Sequence, residues 1–126
     1  MKEITVLKVA PMCAPEVVML KNDLRSLQEA VSIDAPSVGR IEIVNLDANI
    51  YIVCNEEGKL LGLKSNRRLG WDILCGVFYV VGIDDRGSFC SLSPSEMEQF
   101  KEIFAVPEVI APEEVEEILT TMVYAL

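Results

Sequence analysis

Residues 54–91 read CNEEGKLLGLKSNRRLGWDILCGVFYVVGIDDRGSFCS. The run Ile73–Ile83 is rich in β-branched and aromatic residues and carries the longest strand signal in the chain. A second strand-like run, Ile50–Val53, lies just before this stretch. Between the two runs is a short basic loop, Lys59–Arg68, with four of the eleven basic residues. Gly76 inside the longer run indicates a bulge or a close approach of another segment.

Other strand signals lie on both sides of this stretch. Glu3–Val9 is largely β-branched, and Glu16–Leu20 follows after a turn, which suggests a hairpin. The runs Ile41–Leu46 and Ile50–Cys54 are joined by a short turn at Asp47–Asn49, which predicts a second, antiparallel hairpin. Consecutive strands joined by short turns favour a mainly antiparallel sheet.

Three segments carry helix signals. Asn22 is a candidate N-cap for a helix that continues to about Val31. Residues Ser93–Glu96 read SPSE, a capping box with proline at the first helical position. Pro112 starts a last helix that has glutamates in its first turn, where the helix dipole favours negative charge.

This order of elements predicts an α+β protein, with a mainly antiparallel sheet and two or three helices packed on one face. The length of 126 residues fits one domain. We expect residues 1–106 to form a single α+β domain. Residues 107–126 are expected to be a C-terminal helical extension of the same domain, because two prolines separate this segment from the preceding helix.

The composition is that of a soluble globular protein. Apolar residues make up 51% of the chain, and no run approaches the ~18 apolar residues of a membrane span. The apolar stretch near the N-terminus is too short and broken for a signal peptide. Four cysteines, Cys13, Cys54, Cys75 and Cys90, occur without CxxC spacing and are expected to be reduced, small side chains of the core. We therefore expect a cytoplasmic protein and no membrane partner.

Charge and the absence of histidine exclude several classes of function. A formal net charge of -9 disfavours binding to nucleic acid, because phosphates are repelled. Without histidine, Ser-His-Asp and Cys-His catalysis and histidine-based zinc sites are excluded. We expect a protein that is not an enzyme and that has neither a metal site nor a cofactor.

The basic loop is the first candidate site. Its amide and guanidinium groups can present donors to a phosphate or carboxylate of a small anionic ligand. The alternative is structural: Arg67 pairs with a nearby acid such as Asp72 or Glu57 and holds the loop against the sheet. Trp71, which follows the loop, either stacks on a ligand or partner or is buried at a sheet edge or in the core. The candidate ligand-binding residues are Lys59, Asn66, Arg67, Arg68 and Trp71.

The last helix is the second candidate site. Its polar face carries four glutamates, which suit a basic surface on a partner protein. Its apolar stripe also suits packing across the axis of a homodimer. The alternative is an ordinary solvated helix over its own core. The glutamates are Glu113, Glu114, Glu116 and Glu117, and the stripe is Val115, Ile118, Leu119 and Met122.

The middle of the chain carries a recognisable combination of short motifs. They are CNEEGKLLGL at 54–63, Asn66-Arg67, GVFYVVG at 76–82, FCSLS at 89–93, and then Glu96, Phe100, Lys101, Glu102 and Phe104. With this spacing, most of residues 4–105 resembles the family called domain of unknown function 3846. The family usually has proline after Gly-Leu, where this chain has Lys64. The last helix, 112–126, lies beyond the resemblance.

The resemblance implies a setting rather than a mechanism. Such proteins look like accessory proteins of bacterial genomes, phages and conjugative elements, at times beside antirestriction genes. The resemblance carries over no activity and no catalytic residues. We expect a small cytoplasmic accessory protein that acts through protein–protein interaction in a bacterial or mobile-element context. The alternative is a protein that binds a small phosphorylated ligand or nucleotide through residues 59–71.

Overall fold

A computed structural model describes residues 2–125 of the chain. The described residues form eight strands and three helices. In chain order they are β1 (Glu3–Val9), β2 (Glu16–Lys21), α1 (Leu24–Ala30), β3 (Ile41–Asp47), β4 (Ile50–Asn55), β5 (Ser65–Leu69), β6 (Asp72–Cys75), β7 (Phe78–Ile83), β8 (Phe89–Cys90), α2 (Pro94–Ile103) and α3 (Pro112–Ala125).

The main sheet is antiparallel, as the sequence predicts. Its strand order is β2-β1-β7-β4-β3, and β8 pairs with β7. Both predicted hairpins, β1–β2 and β3–β4, are confirmed. β7 lies between β1 and β4, where Val80 pairs with Leu7 on one side and Ile52 on the other. The central strand β7 has no charged residue, and both edge strands, β2 and β3, carry charged residues.

The long β run is two strands rather than the single strand predicted for Ile73–Ile83. β6 pairs with β5 in a separate two-stranded sheet, whereas β7 joins the main sheet. The chain changes direction at Gly76, whose φ is +88°. A Cβ on Gly76 would lie 2.8 Å from Leu63 Cδ1, so the predicted close approach is present. The Val77 amide is then held by a 3.1 Å hydrogen bond to Asp34 Oδ2.

The α+β class is confirmed, but the helices lie on both faces of the sheet. α2 packs Phe100 onto one face, together with Phe104 just beyond its end. Val31, at the end of α1, packs onto the opposite face, where the Tyr79 hydroxyl donates to the Ala30 carbonyl over 3.1 Å. The central strands have apolar residues on both faces, so both need a cover. The α2 layer contains Leu7, Val9, Ile50, Ile52, Phe78 and Val80, and the α1 layer contains Ile4, Val6, Val53, Tyr79 and Val81.

The starts of the three helices can be compared with the predicted capping signals. The predicted capping box of α2 is confirmed: the Glu96 amide donates to Ser93 Oγ, and the Ser93 amide donates to the Glu96 carboxylate. In α1 the N-cap is Asp23, one residue after the predicted Asn22. The Asn22 side chain instead donates to the Phe89 carbonyl over 3.0 Å and ties α1 to β8. In α3 the predicted start is confirmed, and residue 126 lies outside the described residues.

Candidate functional site

Part of the predicted basic loop is a β-hairpin. β5 and β6 pair antiparallel, with Trp71 in the turn between them. The register shifts between Ser65 and Arg67, so Asn66 is an extra residue in β5, as in a β-bulge. The consecutive residues Asn66 and Arg67 are therefore both buried, and Arg68 returns to the surface.

Arg67 is a buried residue that connects several segments through hydrogen bonds. Its side chain is 1% exposed. One guanidinium nitrogen donates to Asn66 Oδ1 over 2.8 Å, and the other donates to the carbonyls of Cys13 and Phe104 over 2.7 and 2.9 Å. Burial lowers the pKa of Arg67, and its Nε has no hydrogen-bond partner. The guanidinium thereby joins the β1–β2 turn, the β5–β6 hairpin and the end of α2.

Asn66 completes this internal junction. Its amide nitrogen donates to the carbonyl of Val9 over 2.9 Å and to that of Gly76 over 2.8 Å. Its amide oxygen accepts from Arg67. Strand ends leave unpaired carbonyls, and a buried carbonyl without a donor is costly. Asn66 and Arg67 supply these donors from the side chains.

The predicted pairing of Arg67 with an acid is wrong, because Arg67 bonds to backbone carbonyls and an amide oxygen. Asp72 pairs instead with Lys59, whose Nζ lies 2.9 Å from Asp72 Oδ1. The same ammonium group donates to the Ile73 carbonyl over 3.1 Å. An ion pair does therefore hold the loop against the hairpin, but it is formed by Lys59.

Arg68 connects the hairpin to the C-terminal segment. Its guanidinium lies 3.1 Å from Glu108 Oε1 and makes two 2.8 Å bonds to Glu114. This hydrogen bonding lowers the pKa of the Glu114 carboxyl and raises the pKa of Arg68. Glu114 also accepts from the Ala111 amide, so one carboxylate fixes both the start of α3 and its position on the hairpin.

Trp71 stands apart from the other four candidates. It is 76% exposed at the hairpin turn, so the alternative that it is buried at a sheet edge or in the core is wrong. Lys59, Asn66, Arg67 and Arg68 all bond to groups of their own chain. The structure therefore does not place Arg67 and Trp71 together on one exposed surface.

A groove lies between the C-terminal segment and the loop before β5. Its volume is about 520 Å³, and its lining is mostly apolar. We call it the C-terminal groove. It is lined by Met12, Lys59, Gly62, Leu63, Lys64 and Ser65 on one side and by Glu108, Val109, Ile110, Pro112, Val115, Glu116 and Leu119 on the other.

Sequence reasoning missed this groove. The stripe of α3 supplies Val115 and Leu119 at i, i+4 spacing, a pattern that the sequence does show. The opposite wall is formed by residues 62–65, which lead from irregular backbone into the start of β5. The i, i+4 pair was the one available signal, and it does not say what lies across from the helix.

Residues 2–105 match the family model described as Domain of unknown function (DUF3846). This chain belongs to the DUF3846 family. The resemblance inferred from the short motifs is thus confirmed. The DUF3846 match includes β1 to β8 and α2 and ends before α3. One wall of the C-terminal groove is therefore part of the DUF3846 region, and the other wall follows it in the chain.

No curated protein and no solved structure matches this DUF3846 chain. Among residues 2–125, no helix combines the length and the apolar character needed to cross a membrane. Within the same residues, no group of three or more Cys, Asp or Glu side chains is placed to hold a metal ion.

Two thiols of this DUF3846 protein are held in their protonated form by the core. Cys54 and Cys75 are buried, as predicted, whereas Cys90 is half-buried and Cys13 is exposed, so the predicted burial is wrong for Cys13. Burial, together with the nearby Glu42, raises the pKa of Cys54 to about 12, and burial also raises the pKa of Cys75. A nucleophilic cysteine needs a lowered pKa, so these two side chains serve packing.

Proposed function

We propose that this protein acts by binding another protein at the C-terminal groove. The observation that carries the proposal is the groove itself, an apolar concavity of about 520 Å³ with one helix as a wall. Helix-walled apolar grooves are a recurrent mode of recognition for protein segments. An exposed apolar patch of this kind is a common mark of an interaction site.

The exposure of the groove walls supports this proposal. Over the part of α3 whose side chains are described, Pro112–Met122, no residue is fully buried. Val109 on the rim is 83% exposed, and Met12 at the opposite wall is also exposed. A partner segment that enters the groove would remove these apolar surfaces from water, which is the main favourable term in association.

A small anionic ligand at residues 59–71 receives less support. Lys59, Arg67 and Arg68 already have partners in their own chain, and Asn66 uses both ends of its amide group inside the protein. An anion that bound there would have to displace these bonds, and Arg67 would also have to leave the interior. Binding through the groove requires neither change.

The state of the Cys54 and Cys75 thiols disfavours nucleophilic catalysis by these two side chains. The raised pKa values of Cys54 and Cys75 leave them protonated at neutral pH.

We propose that the protein works in the cytoplasm of a bacterium, as an accessory protein of the chromosome or of a mobile element. The setting rests on the family resemblance, and the compartment rests on four cysteines without paired spacing.

Site-specific photo-crosslinking in the cells that encode the protein tests this proposal. A photoreactive residue at Val109, on the groove rim, is compared with one at Ile43, which is exposed on the edge strand β3. We expect a defined protein adduct at Val109 that disappears with Leu119→Arg, a change that fills the groove with charge. Equal adducts at both positions, or an adduct at Val109 that survives Leu119→Arg, would contradict groove binding.

A further inference from the structure

We infer that the partner segment at the C-terminal groove is a basic amphipathic helix, an inference that rests on the proposed function. The groove supplies an apolar floor, and α3 supplies a row of acidic side chains along its edge. A partner helix would place an apolar stripe in the groove and lysine or arginine over the glutamates. The chemistry of the recognised segment follows from that arrangement.

The acidic edge adjoins the groove. A shallow open hollow is lined by Glu113, Glu116 and Glu117 together with two threonines. Glu116 lines both this hollow and the C-terminal groove. An apolar contact and a charged contact are thus presented side by side on one helix, which is the pattern that an amphipathic partner complements.

These three glutamates are available to a partner. Each is exposed, and among the described residues no Lys or Arg lies within ion-pair distance of them. Glu114 differs, because its carboxylate is taken by Arg68. One glutamate of α3 therefore positions the helix, and the other three face outward without a countercharge.

The dimensions fit a short helix. α3 lines the groove from Pro112 to Leu119, which at about 1.5 Å per residue gives a wall of about 12 Å. A partner helix of about two turns would span it. Side chains at i, i+3, i+4 and i+7 would then enter the groove on one face, with the basic residues on the side towards Glu116.

Charge argues against a second copy of this chain as the occupant. In a two-fold dimer the same patch meets itself, so Glu113, Glu116 and Glu117 of one copy would approach the same glutamates of the other. The whole chain carries a formal charge of -9, which adds to the repulsion. A basic segment removes this repulsion and gains attraction in its place.

Two fluorescent peptides of about 14 residues test the inference by anisotropy with the full-length protein. Both carry the same leucine stripe; one has lysines on its polar face and the other has glutamates. We expect the basic peptide to bind at least about tenfold more tightly than the acidic one, and more weakly as salt rises. Replacing Glu113, Glu116 and Glu117 by glutamine should remove most of this preference, whereas Glu102→Gln on α2 should not.

The outcomes separate this inference from the proposed function. If both peptides bind equally and both are lost with Leu119→Arg, groove binding stands and the basic character of the partner is wrong. If neither peptide binds, the inference is wrong, and the crosslinking experiment decides the proposed function alone. Binding of the basic peptide that survives Leu119→Arg would show non-specific attraction and overturn the inference. A wild-type dimer that Leu119→Arg dissociates would identify a second copy as the occupant and overturn it as well.

Discussion

Arg67 and Arg68 are neighbours in the chain and belong to the same strand, yet they do opposite things. Arg67 is buried and donates to three acceptors from different parts of the fold. Arg68 is on the surface and holds the C-terminal segment through Glu108 and Glu114. One arginine is part of the core, and the other governs how a later element lies on it. Substitution of Arg67 should therefore lower the stability of the whole protein, whereas substitution of Arg68 should affect only the position of α3.

The largest effect is expected at Arg67. Arg67→Ala leaves three oxygen acceptors without a donor, at about 1–3 kcal/mol each when buried, so we expect a loss of about 4 kcal/mol in the free energy of unfolding. Urea unfolding measures it. Arg86→Ala, in an exposed turn, is the matched control and should stay within about 0.5 kcal/mol of wild type. A loss below about 1 kcal/mol for Arg67→Ala would show that the junction is not internal.

Asn66 tests the same internal hydrogen-bond network, because its side chain bonds to Arg67. Asn66→Ala removes the donors to Val9 and Gly76 and the acceptor of Arg67, so we expect a loss of about 3 kcal/mol. The double variant with Arg67→Ala should lose less than the sum of the two single losses, since both remove the same bond. Strict additivity in urea unfolding would mean that the two side chains act independently.

Gly76 tests how closely the loop and the hairpin meet. Gly76→Ala forces a positive φ on alanine and brings its Cβ to 2.8 Å from Leu63, so we expect a cost of about 2 kcal/mol. Gly62→Ala is the control, because Gly62 also has a positive φ but nothing within 4 Å of its Cβ. It should cost about 1 kcal/mol, from the backbone alone. Equal losses of unfolding free energy for the two variants would show that crowding against Leu63 does not contribute to the cost at Gly76.

For Arg68 the expected effect is local. Arg68→Ala should leave the midpoint of unfolding near wild type, because exposed ion pairs add little, but should speed amide exchange in α3. Arg25→Ala breaks an exposed i, i+4 pair in α1 and should leave α3 unchanged. Amide exchange in α3 that stays as slow as in wild type would show that Arg68 does not hold the helix.

The ion pair between Arg68 and Glu114 predicts that the docking of α3 depends on pH. Arg68 lowers the pKa of the Glu114 carboxyl. The stabilisation that the Arg68–Glu114 pair gives to the docked α3 is therefore complete above the ordinary glutamate range, and it is lost as pH falls through the lowered pKa. Carbon-13 titration of the side chain should show the midpoint of Glu114 rising in Arg68→Ala. An unchanged midpoint would contradict the pairing.

The smallest effect is expected at Trp71. Trp71→Ala should leave the free energy of unfolding within about 0.5 kcal/mol, because the ring is 76% exposed. It is the single tryptophan of the chain, so the wild-type fluorescence spectrum reports it alone and should peak where a solvated indole emits. A blue-shifted peak would place the ring against another part of the protein.

Much of the fold was predictable from local chemistry. The SPSE capping box, the two hairpins and the start of α3 all depend on residues next to each other in the chain. The division of Ile73–Ile83 was signalled by Gly76, but a single glycine does not distinguish a bulge from a change of sheet. That α1 and α2 pack on opposite faces of the sheet depends on which strand residues each helix contacts. The spacing of apolar residues in the sequence does not give these contacts.

The candidate site was predicted less well, for a physical reason. An arginine in a basic run is usually solvated, and nothing local marks Arg67 as different from Arg68. The bulge at Asn66 decides which of them turns inward, and that bulge depends on pairing with a strand seven residues further on. The C-terminal groove depends in turn on Arg68 meeting Glu114, 46 residues away.

Proton exchange of the arginine side chains, followed by NMR in one sample, tests the central contrast most directly. Solvent exchange of guanidinium protons is slowed by burial and hydrogen bonding. Slow exchange at Arg67 that does not change when phosphate is added, together with fast exchange at Arg68, is the predicted result. Similar exchange at both arginines, or a response of Arg67 to phosphate, would contradict an internal role and return the basic segment to consideration as an anion site.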